Sequence, residues 1–265
     1  MSRRGKLILV GAGPGAADLL TIRALRAIQG ADVVLFDRLV TDEVLELIPA
    51  TVERVFVGKT TRRDADATQA SIHELIVSLA RAGRTVVRLK GGDPYVFGRG
   101  GEELLSAAAA GVAVEVVPGI SASVAAPALA GIPVTMRGLS SSFAVFSGHE
   151  AASGVGDGID WLAASRVGTA VFLMGVAHLE DIVTQLVAHG RAVETPVAVI
   201  EAASRDNERV VVGTLSNIRS RAAEVRPPAT IVVGAVVDVR RLAAFVAPVR
   251  EHAGYPAAFQ AEVRA

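Results

Sequence analysis

The sequence contains no cysteine. That absence excludes disulfides, thiolate metal sites and a cysteine nucleophile, and it fits a reducing compartment such as the cytoplasm. Neither sign of charge is in excess, because 27 Lys and Arg balance 27 Asp and Glu, so no global field is present to hold a nucleic-acid backbone. Aromatic residues make up 4% of the chain, with Trp161 the single tryptophan, too few for a stacking platform for single-stranded nucleic acid. The opening MSRRGKLILVGAGPG sets basic residues before an apolar run that breaks at Gly11, too short for a signal peptide or a membrane span. His73, His149, His178, His189 and His252 stand at spacings that form no metal site. With 51% hydrophobic residues among 265, the chain has enough apolar surface for a large core, and disorder is excluded. These absences together predict a cytoplasmic enzyme with no metal, no nucleic-acid partner and no membrane partner.

What is present is an alternation of short apolar runs with longer amphipathic stretches. Strands are predicted over Leu7–Val10, Asp32–Phe36, Arg54–Val57, Val86–Leu89 and Ala113–Val117, with helical periodicity between them, as over Ile72–Arg81. Strands apolar on both faces imply a mostly parallel sheet with flanking helices. Asp18 is placed to cap the helix after the first glycine loop, and Ala82-Gly83 to stop the helix that ends near Arg81. The periodicity lapses after Gly131, which predicts an N-terminal α/β domain over 1–133, a connection over 134–142 and a C-terminal α/β domain over 143–265. In the last of these, strands at Phe143–Phe146, Thr169–Met174, Val197–Ile200, Val210–Val212 and Ile231–Val233 predict a mixed sheet with helices. The stretch 151–158 reads as a surface loop and the tail after Ala247 as loosely held.

The first glycine loop, Gly11-Ala-Gly-Pro-Gly-Ala16, follows a buried strand directly. It has two readings. Gly11, Gly13 and Ala16, with Asp37 at the end of the second strand, match the dinucleotide fingerprint of a nicotinamide-dependent oxidoreductase. Against this, Pro14 removes an amide donor that a phosphate would use, and the fingerprint leaves a second glycine motif unexplained. That motif is RLKGGDPYVFGRGGEE, residues 88–103, and at the carboxyl end of a strand it belongs to a ligand crevice in an open α/β sheet.

Taken in order, GAGPG, VVLFDRLV, VGK, RLKGGDPYVFGRGGEE, VVPGISA, GIPVT, SGH, VFLMG and PPATIVVG resemble the tetrapyrrole methylases over about residues 5 to 240. Within that family the DRLV and GRGGEE runs resemble the C-methyltransferases of uroporphyrinogen III more than the cobalt-precorrin methyltransferases or diphthine synthase. The resemblance implies a two-domain tetrapyrrole methylase fold, a homodimer, and S-adenosylmethionine as methyl donor in a cleft between domains. It also implies two successive C-methylations to precorrin-2, with S-adenosylhomocysteine released. Donor contacts then fall on Pro14, Gly91, Gly92, Asp93, Val96, Ser121, Ala122, Met174, Ala203 and Ala229. Asp37 falls on the proton acceptor and Lys59 on the proton donor.

Three departures accompany the resemblance. Ser121 stands where the family has Thr, Met136 where it has His, and Ala203-Ser204 where it has Gly-Thr. The acceptor carries eight carboxylates, which calls for local cations, and Arg38, Lys90 and Arg137 are the candidates for holding it. Methyl transfer from a sulfonium needs alignment and a base for the surplus proton, with no metal or covalent nucleophile. A non-catalytic ligand-binding homologue is the remaining alternative, motivated by Met136 and Ala203.

Overall fold

The computed structural model describes residues 5–58, 65–152 and 158–242. They fall into two compact units, the first reaching Ser121 and the second beginning at Ala122.

The first unit contains strands β1 (Lys6–Gly11), β2 (Val33–Phe36), β3 (Glu53–Phe56), β4 (Thr85–Lys90) and β5 (Ala113–Val117), with helices α1 (Ile22–Gln29), α2 (Asp42–Leu45), α3 (Ala65–Arg81) and α4 (Gly100–Ala109). All pairings are parallel, in the order β3-β2-β4-β1-β5. The apolar runs of the sequence explain this. On β1, Ile8 and Val10 pack with Ala24, Ile28, Val44 and Ile48, while Leu7 and Leu9 pack with Ile72, Ile76, Ala80 and Ala107. Alternate side chains of one strand therefore bury against α1 and α2 on one face and α3 and α4 on the other.

The strand order also separates the two readings of the glycine loop. β1 lies between β4 and β5, and β2 pairs with β4, whereas the dinucleotide fold sets its first strand beside its second. The fingerprint Gly11, Gly13, Ala16 is thus carried on a different topology.

The helix cap differs from the sequence expectation. α1 starts later than expected, and Thr21 caps it, its Oγ1 accepting from the Ala24 amide at 3.1 Å. Asp18 sits instead in a short 3-10 turn, Ala17–Leu19, and is exposed. Thr21→Ala is expected to cost about 1 kcal/mol, read as a lower denaturant midpoint with an unchanged slope; an unaltered midpoint would contradict the cap. Gly83 does close α3, with φ of 86°.

The second unit contains α5 (Ala122–Leu129), β6 (Phe143–Ser147), α6 (Trp161–Arg166), β7 (Thr169–Leu173), α7 (Leu179–Ala188), β8 (Pro196–Glu201), β9 (Arg209–Thr214), α8 (Ile218–Arg221), β10 (Ala229–Val233) and α9 (Val237–Leu242). The sheet order is β6-β7-β10-β8-β9. β6 and β7 are parallel and the other pairings antiparallel, which is the mixed sheet expected. One face buries Phe172, Val199 and Ile231 with Ile182, Leu186 and Ile218. The other buries Val171, Ala198, Ile200 and Val232 with Ala126, Ala130 and Ile132.

That second cluster explains why the units divide before α5 rather than within 134–142. The small residues of α5 seat it on β7 and β10, so the lapse in periodicity lies inside the second unit, where Met136 and Ser140 close a turn. The expected tail after Ala247 lies outside the described residues, as do residues 153–157 of the expected loop.

Candidate functional site

β4, β1 and β5 are neighbours, so the loops leaving their carboxyl ends converge. Gly13 and Gly92 join two of them: the Gly92 amide donates to the Gly13 carbonyl at 2.7 Å and the Gly13 amide to Gly92 at 3.2 Å. The third loop comes closer still. A Cβ on Gly119 would stand 2.2 Å from the Gly92 carbonyl oxygen and 2.7 Å from the Gly11 Cα. Three backbones therefore touch where no side chain fits.

Asp93 fastens this juncture. Its Oδ1 accepts from the Tyr95 amide at 2.8 Å and its Oδ2 from the Gly119 amide at 3.1 Å, which ties the β4 loop to the β5 loop. Pro14, Gly91 and Val96 are half-buried around it, and Ser121 is buried two residues beyond Gly119.

Asp37 follows β2 at the same end of the sheet. Its Oδ1 accepts from the Leu39 amide at 3.0 Å and its Oδ2 from Arg88 Nη2 at 3.1 Å, and its side chain is 23% exposed. Two oriented donors hold the carboxylate while lone pairs remain for a proton. Arg38, beside it, is exposed. Lys59, the expected proton donor, lies outside the described residues.

Lys90 is placed differently from the sequence expectation. It is 4% exposed, and its Nζ donates to Glu103 Oε1 at 3.0 Å, so its charge is spent inside the unit rather than presented to an acceptor. The reason is that β4 is buried on both faces, and a charged side chain there must find a partner inside. Burial pushes the Lys90 ammonium below its ordinary value, Arg88 beside it adds to the push, and Glu103 opposes it.

Glu103 itself was not legible as anything beyond the start of α4. The signal that could have found it is the pair Arg88 and Lys90 on an apolar strand, since two buried cations call for a buried carboxylate.

In the second unit Met174, Ala203 and Ala229 come to one region. Met174 follows β7, Ala229 opens β10, and Thr230 pairs with Leu173. Ala202 donates its amide to the Pro228 carbonyl at 2.9 Å. Met174 is 51% exposed with φ of 57°, and Ala202 and Ser204 have φ of 49° and 65°. Left-handed backbone at three non-glycine residues is costly and gathers at functional sites. The sequence reading missed Ala202 and Ser204 because no glycine marks them. Ala203 lies between them outside the left-handed region, so an alanine there is unstrained. Ala122 opens α5, half-buried, and Arg137 is exposed in the Met136–Ser140 turn. Among the described residues no group of three His, Cys, Asp or Glu could hold a metal, and no helix is long and apolar enough to cross a membrane.

Comparison with known proteins adds to this geometry. Residues 6–219 match the family model of the tetrapyrrole (corrin/porphyrin) methylases. The chain is 48% identical over 238 residues to an S-adenosyl-L-methionine-dependent uroporphyrinogen III methyltransferase of Methanosarcina barkeri, covering 89% of this chain and 93% of that one. It is 47% identical over 238 residues to siroheme synthase 1 of Serratia proteamaculans, covering 89% of this chain and spanning 49% of that relative's length. Among solved structures it is similar to the uroporphyrin-III C-methyltransferase of Thermus thermophilus complexed with S-adenosyl homocysteine. That likeness has a TM-score of 0.76 and 45% identity, over 88% of this chain and 99% of that one.

Proposed function

The chain belongs to the tetrapyrrole methylases, and we propose that within this family it is an S-adenosylmethionine-dependent C-methyltransferase of uroporphyrinogen III. Two successive transfers yield precorrin-2 and two S-adenosylhomocysteines. The observation that carries the reading is the juncture of Gly11, Gly92 and Gly119, which brings three glycine loops together at the carboxyl end of the first sheet, the end at which Asp37 is held.

The donor fits what those residues offer. The peptide groups of Gly91, Gly92 and Asp93, with Pro14, Val96 and Ser121, bind it, and Ala122, Met174, Ala203 and Ala229 belong to the same assignment. When bound, S-adenosylmethionine supplies an electrophilic methyl group on a sulfonium. Asp37 takes up the surplus proton that the macrocycle loses after a ring carbon is methylated; that carbon, already bearing a carboxylate arm, has no hydrogen of its own to give, and the donors on the two Asp37 oxygens hold the carboxylate for the task. Arg38 and Arg137, both exposed, pair with acceptor carboxylates, and Lys59 returns a proton. Lys90 has no part in holding the acceptor on this reading. On this proposal the protein acts as a homodimer, as the resemblance implies, and in the cytoplasm, as the lack of cysteine predicts.

Incubation of the purified protein with uroporphyrinogen III and methyl-labelled donor tests the proposal. Two labels per macrocycle are expected. Labelling of a corrin intermediate in place of uroporphyrinogen III would move the chain to a sister activity, and tight S-adenosylhomocysteine binding without any transfer would make it a binding homologue.

A further inference from the structure

Behind Arg88, the donor to Asp37, lies a buried polar cluster whose other members have no part in the chemistry described so far. Glu103 has a side chain with 0% exposure, inserted from α4 beneath β4. Its Oε1 accepts from Arg88 Nε at 3.1 Å, Lys90 Nζ at 3.0 Å and Gln69 Nε2 at 3.3 Å. Its Oε2 is buried without a hydrogen-bond partner. Replacing a whole buried ion cluster by apolar residues is often neutral or stabilising, so stability alone gives no reason for burying Arg88, Lys90 and Glu103 together here.

The geometry of Arg88 gives one. Its guanidinium is planar, and two of its three nitrogens are committed inside the unit: Nε to Glu103 and Nη1 to the Leu89 carbonyl at 2.9 Å. With those two bonds made, the plane of the fork is fixed. The third nitrogen, Nη2, then points at Asp37 Oδ2, 3.1 Å away. Lys90 donates to the same Glu103 oxygen, so two cations and one carboxylate are packed together behind Arg88. Loss of the Glu103 charge would leave the two cations to repel one another and release Arg88 Nε.

We propose that Glu103 is a positioning residue for Asp37, acting through Arg88: the carboxylate in the core sets the guanidinium plane, and the guanidinium sets the orientation of the carboxylate at the surface. The inference rests on the reading of Asp37 as the proton acceptor. It assigns to Glu103 and Arg88 no contact with donor or acceptor.

The test is a double-mutant cycle on the full chain. Glu103→Gln and, should that variant fold poorly, Arg88→Lys are made both in the parent and in Asp37→Asn, with kcat, KM and the Kd for S-adenosylhomocysteine measured for each. In the parent background kcat is expected to fall about tenfold, less than the roughly hundredfold that a misplacement of an ångström costs, while KM and Kd change less than about twofold. In the Asp37→Asn background the same substitutions are expected to lower kcat by less than about twofold, because the residue they orient is already inert. A merely structural role would give the same loss in both backgrounds, and that result overturns the proposal while leaving Asp37 in place. An undiminished kcat in Glu103→Gln also overturns it. Full activity in Asp37→Asn itself would overturn the reading of Asp37, and the relay with it.

Discussion

Asp37→Asn is expected to lower kcat by roughly 10²–10⁴-fold, the range contributed by a positioned general base, with the Kd for S-adenosylhomocysteine within about twofold of the parent. Asparagine is nearly isosteric, and its amide oxygen still accepts from one of the two donors that hold the carboxylate, the Leu39 amide at 3.0 Å or Arg88 Nη2 at 3.1 Å. What it loses is the capacity to take up a proton. Because the substitution leaves the Gly11, Gly92 and Gly119 juncture untouched, donor binding should survive. Single-turnover methyl transfer and titration calorimetry on the same preparation decide the matter. Loss of donor binding in proportion to turnover would mean that Asp37 supports the fold of the loop rather than the chemistry.

Gly119→Ala is expected to damage both stability and donor binding. The added methyl would fall 2.2 Å from the Gly92 carbonyl oxygen and 2.7 Å from the Gly11 carbonyl carbon, and all of these are main-chain atoms with no flexible end to swing aside. Overpacking costs typically 1–3 kcal/mol and occasionally more, and the rigid surroundings set this case at about 3 kcal/mol. At roughly 2–4 °C per kcal/mol the melting temperature should drop by about 6–12 °C. Moving Gly92 away from Gly11 should also weaken S-adenosylhomocysteine binding by about tenfold or more. Gly101→Ala serves as the control, since a Cβ there meets nothing within 4 Å and alanine favours the helix interior; it should melt at or above the parent. A Gly119→Ala protein with parental melting and affinity would show that the backbones are not packed as described.

The fold was legible in the sequence to the extent that it is written in apolar runs. Each of the ten runs read as strands overlaps a strand, with Asp32, Val57 and Met174 falling just outside β2, β3 and β7, because strands such as β1, β8 and β10 bury both faces and so are almost wholly apolar. The order of the strands was not legible: nothing local in β2 shows that it pairs with β4 rather than β1. The division before α5 was hidden for a related reason. Ala126 and Ala130 are small enough to seat a helix on either sheet, and only the contacts with Val171 and Val232 settle which.

In the site, glycine motifs announced the places where main chain meets main chain. They gave no hint of the left-handed Ala202 and Ser204, nor of the side to which Lys90 turns. A charged residue at the end of an apolar strand reads equally well as a surface cation, and Glu103 decides its direction from a helix thirteen residues later.

One consequence concerns synthesis on the ribosome. β1 is made well before both its neighbours, Lys6 pairing with Thr85 on one side and with Ala113 on the other. Pairings of such long sequence separation form slowly. Until β4 and then β5 emerge, the newborn Leu7–Val10 segment lacks the strands it pairs with, and Leu7 and Leu9 wait for Ile72, Ile76, Ala80 and Ala107 to cover them. It is therefore the stretch of the nascent chain that a chaperone would be expected to hold.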